Sequence, residues 1–214
     1  MLDTLLHRGR RKQLIEQLSK KYQFKKEILD AMGRVPRHMF LEYGLDLLAY
    51  QDKPLPIGAG QTISQPFTVA MQTELLGLSK WDKVLEIGTG CGYQTAVLAE
   101  LGYRVFTIER QRALYQLAQK NLNRLDYHSP TQFYGDGFAG LPKFAPFKGI
   151  LVTCGAPEVP SALLEQLAIG GKMVIPIGNG TQTMTVIERS SEKEYFKSEH
   201  GAYKFVPMLE GTEQ

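Results

Sequence analysis

A glycine-rich segment lies between a predicted strand and a predicted helix, and its residue types suit the binding of a nucleoside-like ligand. Residues 83–87 form an apolar run typical of a buried strand, and residues 88–93 read Gly-Thr-Gly-Cys-Gly-Tyr. A turn that leads into a helix N-terminus presents backbone N–H groups, and glycine lets a ligand approach the backbone because it has no Cβ. We therefore expect this loop to bind a cofactor through Gly88, Thr89, Gly90 and Gly92.

The spacing of these glycines departs from the dinucleotide fingerprint. The pattern G-x-G-x-x-G would place its third glycine at position 93, which is Tyr, whereas the glycines fall at positions 88, 90 and 92. The pattern G-x-x-x-x-G-K-[ST] is also absent from the sequence. The loop therefore favours a nucleoside-type cofactor that has no pyrophosphate.

Acidic residues occur at the ends of three successive predicted strands. Glu109, roughly 20 residues beyond the loop, is placed to accept both ribose hydroxyls. Glu86 could hold a cationic amino group or balance a sulfonium, and Asp136 with Gly137 could bind adenine. Each acid taken singly is equally consistent with a solvated strand end or an Asx turn. Together they match S-adenosylmethionine, so the chain resembles a Rossmann-type methyltransferase.

The elements that must position these residues alternate between strand and helix after Gly77. This alternation predicts an α/β fold with a Rossmann-like, doubly wound, mostly parallel sheet. Two short helices are expected within residues 10–35, a loop over residues 50–66, a helix over residues 69–76 and a further strand after residue 190. The predicted strands are 83–87, 103–108, 131–134, 148–153, 171–177 and 182–188, and the predicted helices are 93–100, 110–124 and 159–168.

The length of 214 residues fits a single methyltransferase domain. Its expected parts are an N-terminal helical extension (1–50), a substrate and active-site loop (51–68), a Rossmann-like core (69–190) and a C-terminal strand with a substrate-contacting tail (191–214). No apolar run approaches ~18 residues, and the N-terminus lacks the apolar region of a secretory signal. We therefore expect a cytoplasmic protein with no membrane contact.

Cysteine and histidine spacing argues against disulfides and metals. The two cysteines lie far apart without a C-x-x-C pattern, which predicts reduced thiols. The four histidines show no ligand spacing, so no metal is expected.

The N-terminal segment is strongly basic. Residues 1–26 contain eight Lys and Arg residues against two acids, which leaves the remainder of the chain acidic. Such a segment could contact nucleic acid, or it could be the solvated face of an amphipathic helix, because Leu14, Ile15 and Leu18 recur at helical spacing. We favour the second interpretation because the charges are not interleaved with an aromatic platform of the kind that stacks on bases.

A further segment resembles a known family closely. Residues 55–66 read Leu-Pro-Ile-Gly-Ala-Gly-Gln-Thr-Ile-Ser-Gln-Pro, which resembles the signature of protein-L-isoaspartate O-methyltransferase. The similarity extends over nearly the whole chain from Arg34 onward, through segments at 35–40, 48–50, 84–94, 135–137, 151–153, 156–158, 170–171, 174–178 and 205–207.

The resemblance implies methyl transfer from S-adenosylmethionine to the α-carboxylate of L-isoaspartyl residues in damaged proteins and peptides. It implies that Ser64 is the catalytic hydroxyl with Thr62 beside it, and that the protein is a monomer. The implied cofactor-binding residues are Gln61, Thr62, Ile63, Glu86, Gly88, Thr89, Gly90, Gly92, Glu109, Asp136, Gly137 and Gln182. The implied substrate-binding residues are Leu55, Pro56, Ile57, Gly58, Thr62, Ser64, Phe205 and Val206.

Three positions depart from the commonest family pattern, namely Cys91, the pair Lys148-Gly149 and the pair Cys154-Gly155. Two alternatives stay open. One is a nucleic-acid methyltransferase, although the sequence after the fourth core strand has neither a [DN]-P-P-aromatic run nor a Pro-Cys pair. The other is a protein that binds isoaspartyl sites without turnover.

Overall fold

The computed structural model describes residues 2–213. The strands are β1 (Leu55–Gly58), β2 (Gln61–Ile63), β3 (Lys83–Ile87), β4 (Arg104–Glu109), β5 (Thr131–Tyr134), β6 (Phe147–Val152), β7 (Leu167–Ile177), β8 (Gln182–Arg189) and β9 (Tyr195–Tyr203). The helices are α1 (Leu5–Lys21), α2 (Lys26–Arg34), α3 (Pro66–Leu76), α4 (Tyr93–Glu100), α5 (Arg112–Arg124) and α6 (Ser161–Glu165), and short 3-10 turns lie at Arg37–Phe40, Asp46–Leu48 and Pro142–Phe144.

Seven strands form one sheet in the order β5-β4-β3-β6-β7-β8-β9. The strands from β5 to β7 run parallel, and β8 pairs antiparallel with both β7 and β9. The chain first adds β4 and β5 on one side of β3, and it then returns to add β6, β7, β8 and β9 on the other side. The strand order therefore reverses between β3 and β6. The crevice at the carboxyl ends of these two strands is where ligands bind in open α/β sheets. This sheet confirms the predicted fold class.

The central strands are buried on both faces, which explains their continuous apolar character. Val84, Leu85 and Ile87 of β3 are at most 2% exposed. The same holds for Ile150 and Leu151 of β6. Side chains of α3 and α4 belong to the clusters that cover one face, so the strand ends are held in a rigid layer.

Two local expectations were wrong. Residues 50–66 were expected to form a loop, but β1 and β2 pair as an antiparallel hairpin whose turn has left-handed Ala59 and Gly60. The alternating burial of Leu55 and Ile57 gives the physical reason, since it anchors the first strand despite its Pro and Gly content. The helix expected at 159–168 ends at Glu165 instead, because Leu167 already pairs with Phe147 in the sheet.

The helices α1 and α2 confirm the two helices expected near the N-terminus. Several basic side chains there contact acids of the fold: Arg11 bonds both oxygens of Asp3, and Lys25 lies 3.9 Å from Glu74. Much of the N-terminal positive charge is thus paired within the protein. Within residues 2–213, no helix has both the length and the apolar character needed to cross a bilayer.

The helical region that precedes β1 also contains a polar cluster, which the spacing of the histidines in the sequence did not predict. The rings of His7 and His38 stack with centroids 3.9 Å apart, and ligand atoms of both lie within 4.8 Å of Asp3. Arg11 bonds both Asp3 oxygens and donates to Tyr50, which also contacts His38. The Arg11 guanidinium therefore occupies the position beside Asp3 in which a metal cation would have to bind. Burial, followed by the neighbouring His7, lowers the pKa of His38 to about 4.

Candidate active site

A cavity lies at the carboxyl ends of β3, β4 and β6, and we call it the strand-end cavity. Its wall combines apolar side chains such as Ile87, Ile108 and Leu114 with polar groups from the loops. Apolar surfaces suit a planar base, and a few polar groups suit a sugar and charged ends. The predicted site residues that line it are Ile57, Gln61, Thr62, Ile63, Ser64, Gly88, Thr89, Gly90, Glu109, Gly137 and Val206.

The glycine loop takes a backbone shape that only glycine adopts readily. Gly88, Gly90 and Gly92 have φ angles of 92°, 55° and 91°. A Cβ on Gly88 would lie 2.5 Å from the Thr153 hydroxyl oxygen, so β3 and β6 could not approach at this point with a larger residue. The glycine loop therefore lets the backbone that follows β3 form part of the cavity wall.

The amide groups of Gly88, Thr89, Gly90 and Gly92 are hydrogen-bonded within the protein, which corrects the expectation that they point at a ligand. The N–H groups of Gly88 and Thr89 donate to the Ile108 carbonyl, at 2.9 and 3.3 Å. The Gly92 N–H donates to Thr89, and Gly92 faces Leu122 rather than the cavity. The loop thus contributes to a ligand site mainly by letting the ligand approach the backbone closely, and less by offering N–H donors.

Glu109 links the loop to the next strand. One carboxylate oxygen accepts the Gly90 N–H and the other accepts the Gln111 N–H, both at 2.9 Å. The residue is 6% exposed and lines the cavity. A carboxylate has about four acceptor sites, so two remain for hydroxyl groups of a ligand. The geometry fits the predicted ribose contact.

Glu86 lies behind the loop instead of in the cavity wall. It is fully buried, and the Thr95 hydroxyl donates to one of its oxygens at 2.5 Å. The other oxygen has no partner among the described residues. Burial raises the pKa of Glu86 to about 7, because no cation offsets the loss of solvent. Its contact with a cofactor stays a prediction.

Asp136 and Gln182 are also set back from the cavity. Asp136 accepts the N–H groups of Phe138 and Gly211, each at 2.8 Å. Gln182 accepts the Phe205 N–H at 2.8 Å. Both residues therefore hold the C-terminal tail, and their predicted cofactor contacts stay predictions.

The C-terminal tail also lines the strand-end cavity, at residues that the sequence did not predict. Pro207, Met208 and Leu209 line the strand-end cavity. Further along, Glu213 forms backbone hydrogen bonds with Arg110 and Arg112, which fix the tail over the end of β4. No motif in the sequence marks these contacts, because they join residues about 100 positions apart.

A second cavity, which we call the aromatic cleft, adjoins the first. It has a volume of about 530 Å³, and its walls include Tyr22, Phe67, Tyr203 and Phe205. The two cavities share a boundary formed by Thr62, Ser64, Thr153 and Val206. The boundary residues therefore face a ligand in either space.

Ser64 stands at this boundary and is half-buried. It precedes α3, whose N-cap residue is Gln65 and whose Phe67 N–H donates to the distant Asp52 at 2.8 Å. Because Asp52 accepts this helix-terminal N–H, the Ser64 hydroxyl is not needed for capping. The arrangement places Ser64 in the walls of both cavities, and its catalytic role stays a prediction.

The predicted substrate-binding residues do not share one location, and only Thr62, Ser64 and Val206 among them line both spaces. Phe205 and Val206 line the aromatic cleft together with Ser64. By contrast, Leu55 is buried in the core, Ile57 lines the strand-end cavity, and Pro56 and Gly58 line neither space. The neighbouring Pro54, which was not predicted, reaches the cleft.

Two of the three departures from the family pattern include a glycine that close packing explains, whereas Cys91 is a buried side chain of the core. A Cβ at Gly149 would lie 2.7 Å from a Leu78 methyl, and one at Gly155 would lie 2.6 Å from the Gln182 amide. Glycine therefore permits close packing at both positions. Cys154 lines the strand-end cavity, and burial raises the pKa of its thiol to about 12, which disfavours the thiolate form.

A parallel sheet extended by an antiparallel pair, with a glycine turn after β3 and an acid at the end of β4, defines a Rossmann-like methyltransferase. Residues 9–213 match the family model of protein-L-isoaspartate(D-aspartate) O-methyltransferase (PCMT). The chain belongs to this family.

Individual relatives agree with this assignment. The chain is 52% identical over 210 residues to the protein-L-isoaspartate O-methyltransferase of Christiangramia forsetii, covering 98% of this chain and 99% of that protein. It is 53% identical over 210 residues to that of Flavobacterium psychrophilum, with the same coverage. A solved protein-L-isoaspartate O-methyltransferase superposes with a TM-score of 0.83 at 31% identity, over 92% of this chain and 65% of that one.

Proposed function

We propose that the protein transfers a methyl group from S-adenosylmethionine to the α-carboxylate of L-isoaspartyl residues in damaged proteins and peptides. The ester then collapses outside the enzyme through a succinimide toward normal aspartate. The observation that carries the proposal is the shared boundary of the two cavities at Thr62, Ser64, Thr153 and Val206. A donor on one side and a peptide on the other would meet at that boundary.

The strand-end cavity is the proposed site for the methyl donor. Glu109 would accept the ribose hydroxyls through its two remaining acceptor sites. Gly137 and the apolar wall would hold the adenine, and the segment Gln61–Ile63 would border the methionine end. When bound, S-adenosylmethionine supplies a methyl group on a cationic sulfur.

The substrate requires alignment rather than activation. An α-carboxylate has a pKa near ~3.5 and is already ionised at neutral pH, so no strong general base is needed. The Ser64 hydroxyl would donate a hydrogen bond to this carboxylate and fix the direction of its attacking oxygen. Charge is neutralised as the carboxylate anion attacks the cationic sulfonium. Exclusion of water from the boundary between the two cavities therefore does not oppose the reaction.

The remaining assignments are part of the same proposal. Glu86, Gly92, Asp136 and Gln182 are proposed to hold the methyl donor as well, and each already holds an element that lines the cavity. The chain would act as one methyltransferase domain with the four parts given above, as a monomer in the cytoplasm. No metal or nucleic acid takes part in the proposed reaction.

The test uses two synthetic peptides that differ only in L-isoaspartate or L-aspartate at one position. With labelled S-adenosylmethionine, we expect base-labile label on the isoaspartyl peptide alone. Label on neither peptide, with the methyl donor still bound, would contradict the proposal. An assay with RNA and DNA would then test the nucleic-acid alternative, and peptide binding without turnover would indicate a binding-only protein.

A further inference from the structure

The aromatic cleft is assembled from parts of the chain that are far apart in sequence. Tyr22 is the C-cap residue of α1, Phe67 lies in the first turn of α3, and Tyr203 ends β9 with Phe205 two residues later. The ring centroids of Tyr22 and Phe67 lie 4.4 Å apart. Those of Phe67 and Tyr203 lie 6.5 Å apart with planes 6° from parallel. The rings therefore form one continuous wall.

This wall is not part of the packed core. All four side chains are only half-buried, and they face a cavity of about 530 Å³. Exposed aromatic surface is unfavourable in water, and clefts lined by aromatic side chains are typical of binding sites. The wall is thus available to a ligand.

The position of the wall determines which ligand can reach it. The cleft also contains Thr62, Ser64 and Thr153, which border the strand-end cavity. A peptide carboxylate held at Ser64 would place the adjacent residues of the same peptide beside the wall, since a residue spans about 3.3–3.6 Å of extended chain. A side chain next to the reacting residue is therefore the occupant that such a complex would bring to the wall.

We propose that this wall binds an aromatic side chain within two residues of the isoaspartate, with Tyr22 and Tyr203 as specificity-determining residues. This inference rests on the proposed function. Aromatic rings pair favourably in offset or edge-on geometries, beyond the effect of the area that they bury. The cation of Lys21, which lies 5.1 Å from the Tyr22 ring centroid, and Lys204 at the cleft disfavour a basic neighbour.

The test measures equilibrium binding of isoaspartyl peptides to the full chain in the presence of S-adenosylhomocysteine. One peptide has glycine at every flanking position, and the others have a single phenylalanine one or two residues before or after the isoaspartate. We expect at least one phenylalanine peptide to bind about tenfold more tightly than the glycine peptide. Equal affinity for all of the peptides would overturn the inference.

Variants locate the preference. In Tyr22→Ala, and separately in Tyr203→Ala, the phenylalanine advantage should fall below about threefold while the glycine peptide keeps its affinity. Tyr22→Phe should retain the advantage, and so should the control Tyr43→Ala, because Tyr43 is 93% exposed and lies outside the cleft. An equal loss of affinity for both kinds of peptide would indicate a structural role and contradict the inference.

Turnover of the same peptides separates the two proposals. If isoaspartyl peptides bind with the aromatic preference but receive no methyl group, the proposed function fails and the wall remains a binding site. If all of the peptides are methylated with the same KM, the proposed function stands and the aromatic preference is refuted.

Discussion

The strand-end cavity and the aromatic cleft share a boundary but are built in different ways. The cavity is formed mainly by the carboxyl ends of β3, β4 and β6, where backbone geometry and buried hydrogen bonds fix each group. The cleft is formed by side chains at the ends of α1, α3 and β9, which meet only after the chain has folded. In the proposed function, donor recognition would thus be a property of the sheet, whereas peptide recognition would depend on the elements added around it.

The largest expected effect concerns the boundary itself. Replacing Ser64 by Ala removes the hydroxyl that is proposed to align the carboxylate, and we expect kcat to fall about 100-fold or more. Affinity for S-adenosylmethionine, measured by calorimetry, should change less than about twofold. The matched control is Ser161→Ala at the exposed start of α6. An unchanged kcat would remove Ser64 from the catalytic role.

The second-largest expected effect concerns Glu86, which is buried behind the strand-end cavity. Because the pKa of Glu86 is raised from 4.5 to about 7, the folded state holds its proton more tightly than the unfolded state. Stability should therefore fall as pH rises from about 4.5 to 7, by on the order of 3 kcal/mol. The substitution Glu86→Gln cannot ionise, so its free energy of unfolding should lack this component. Urea unfolding at pH 4.5 and 7.5 checks this, and identical pH dependence of both proteins would refute it.

The strand-end cavity is tested at Glu109. Replacing Glu109 by Ala removes the acceptor for the ribose hydroxyls and the partner of the Gly90 N–H. Donor binding should weaken by about 1–3 kcal/mol. The exposed Glu192→Ala is the matched control. Peptide affinity should stay the same if the two spaces are independent, and calorimetry that finds unchanged donor affinity would exclude Glu109 from the site.

The smallest effect concerns the attachment of α1, which carries Tyr22 to the cleft. The folded-state pKa of His38 is lowered from 6.5 to about 4, so its contribution to stability is present above pH 6.5 and is lost as pH falls through 4. We expect a loss of about 1–2 kcal/mol over this interval, which His38→Gln should remove. Peptide binding should weaken before donor binding as the pH falls. Simultaneous loss of both would contradict the division between the two regions.

The sequence predicts the strand-end cavity well for a physical reason. Gly88 and Gly90 lie in the loop after β3, Glu109 is the last residue of β4, and parallel strand ends meet at one edge of a sheet. Apolar runs likewise identify β3, β4 and β6, because strands buried on both faces are continuously apolar.

Other features depend on tertiary contacts that leave no local pattern. Tyr22 and Tyr203 lie 181 positions apart in the sequence, and both pack against Phe67. The hydrogen bonds that turn Asp136 toward the C-terminal tail, and Glu86 toward Thr95, are also decided by packing. For this reason their side-chain directions were not predictable from position in a strand.

The most direct test is a crystal structure with both S-adenosylhomocysteine and an isoaspartyl peptide bound. We predict that the sulfur lies in the strand-end cavity and that the peptide enters through the aromatic cleft. Its α-carboxylate should lie within hydrogen-bond distance of the Ser64 hydroxyl, at about 2.5–3.0 Å. A peptide bound elsewhere, or a carboxylate separated from Ser64 by the cavity wall, would contradict a reaction at the boundary of the two spaces.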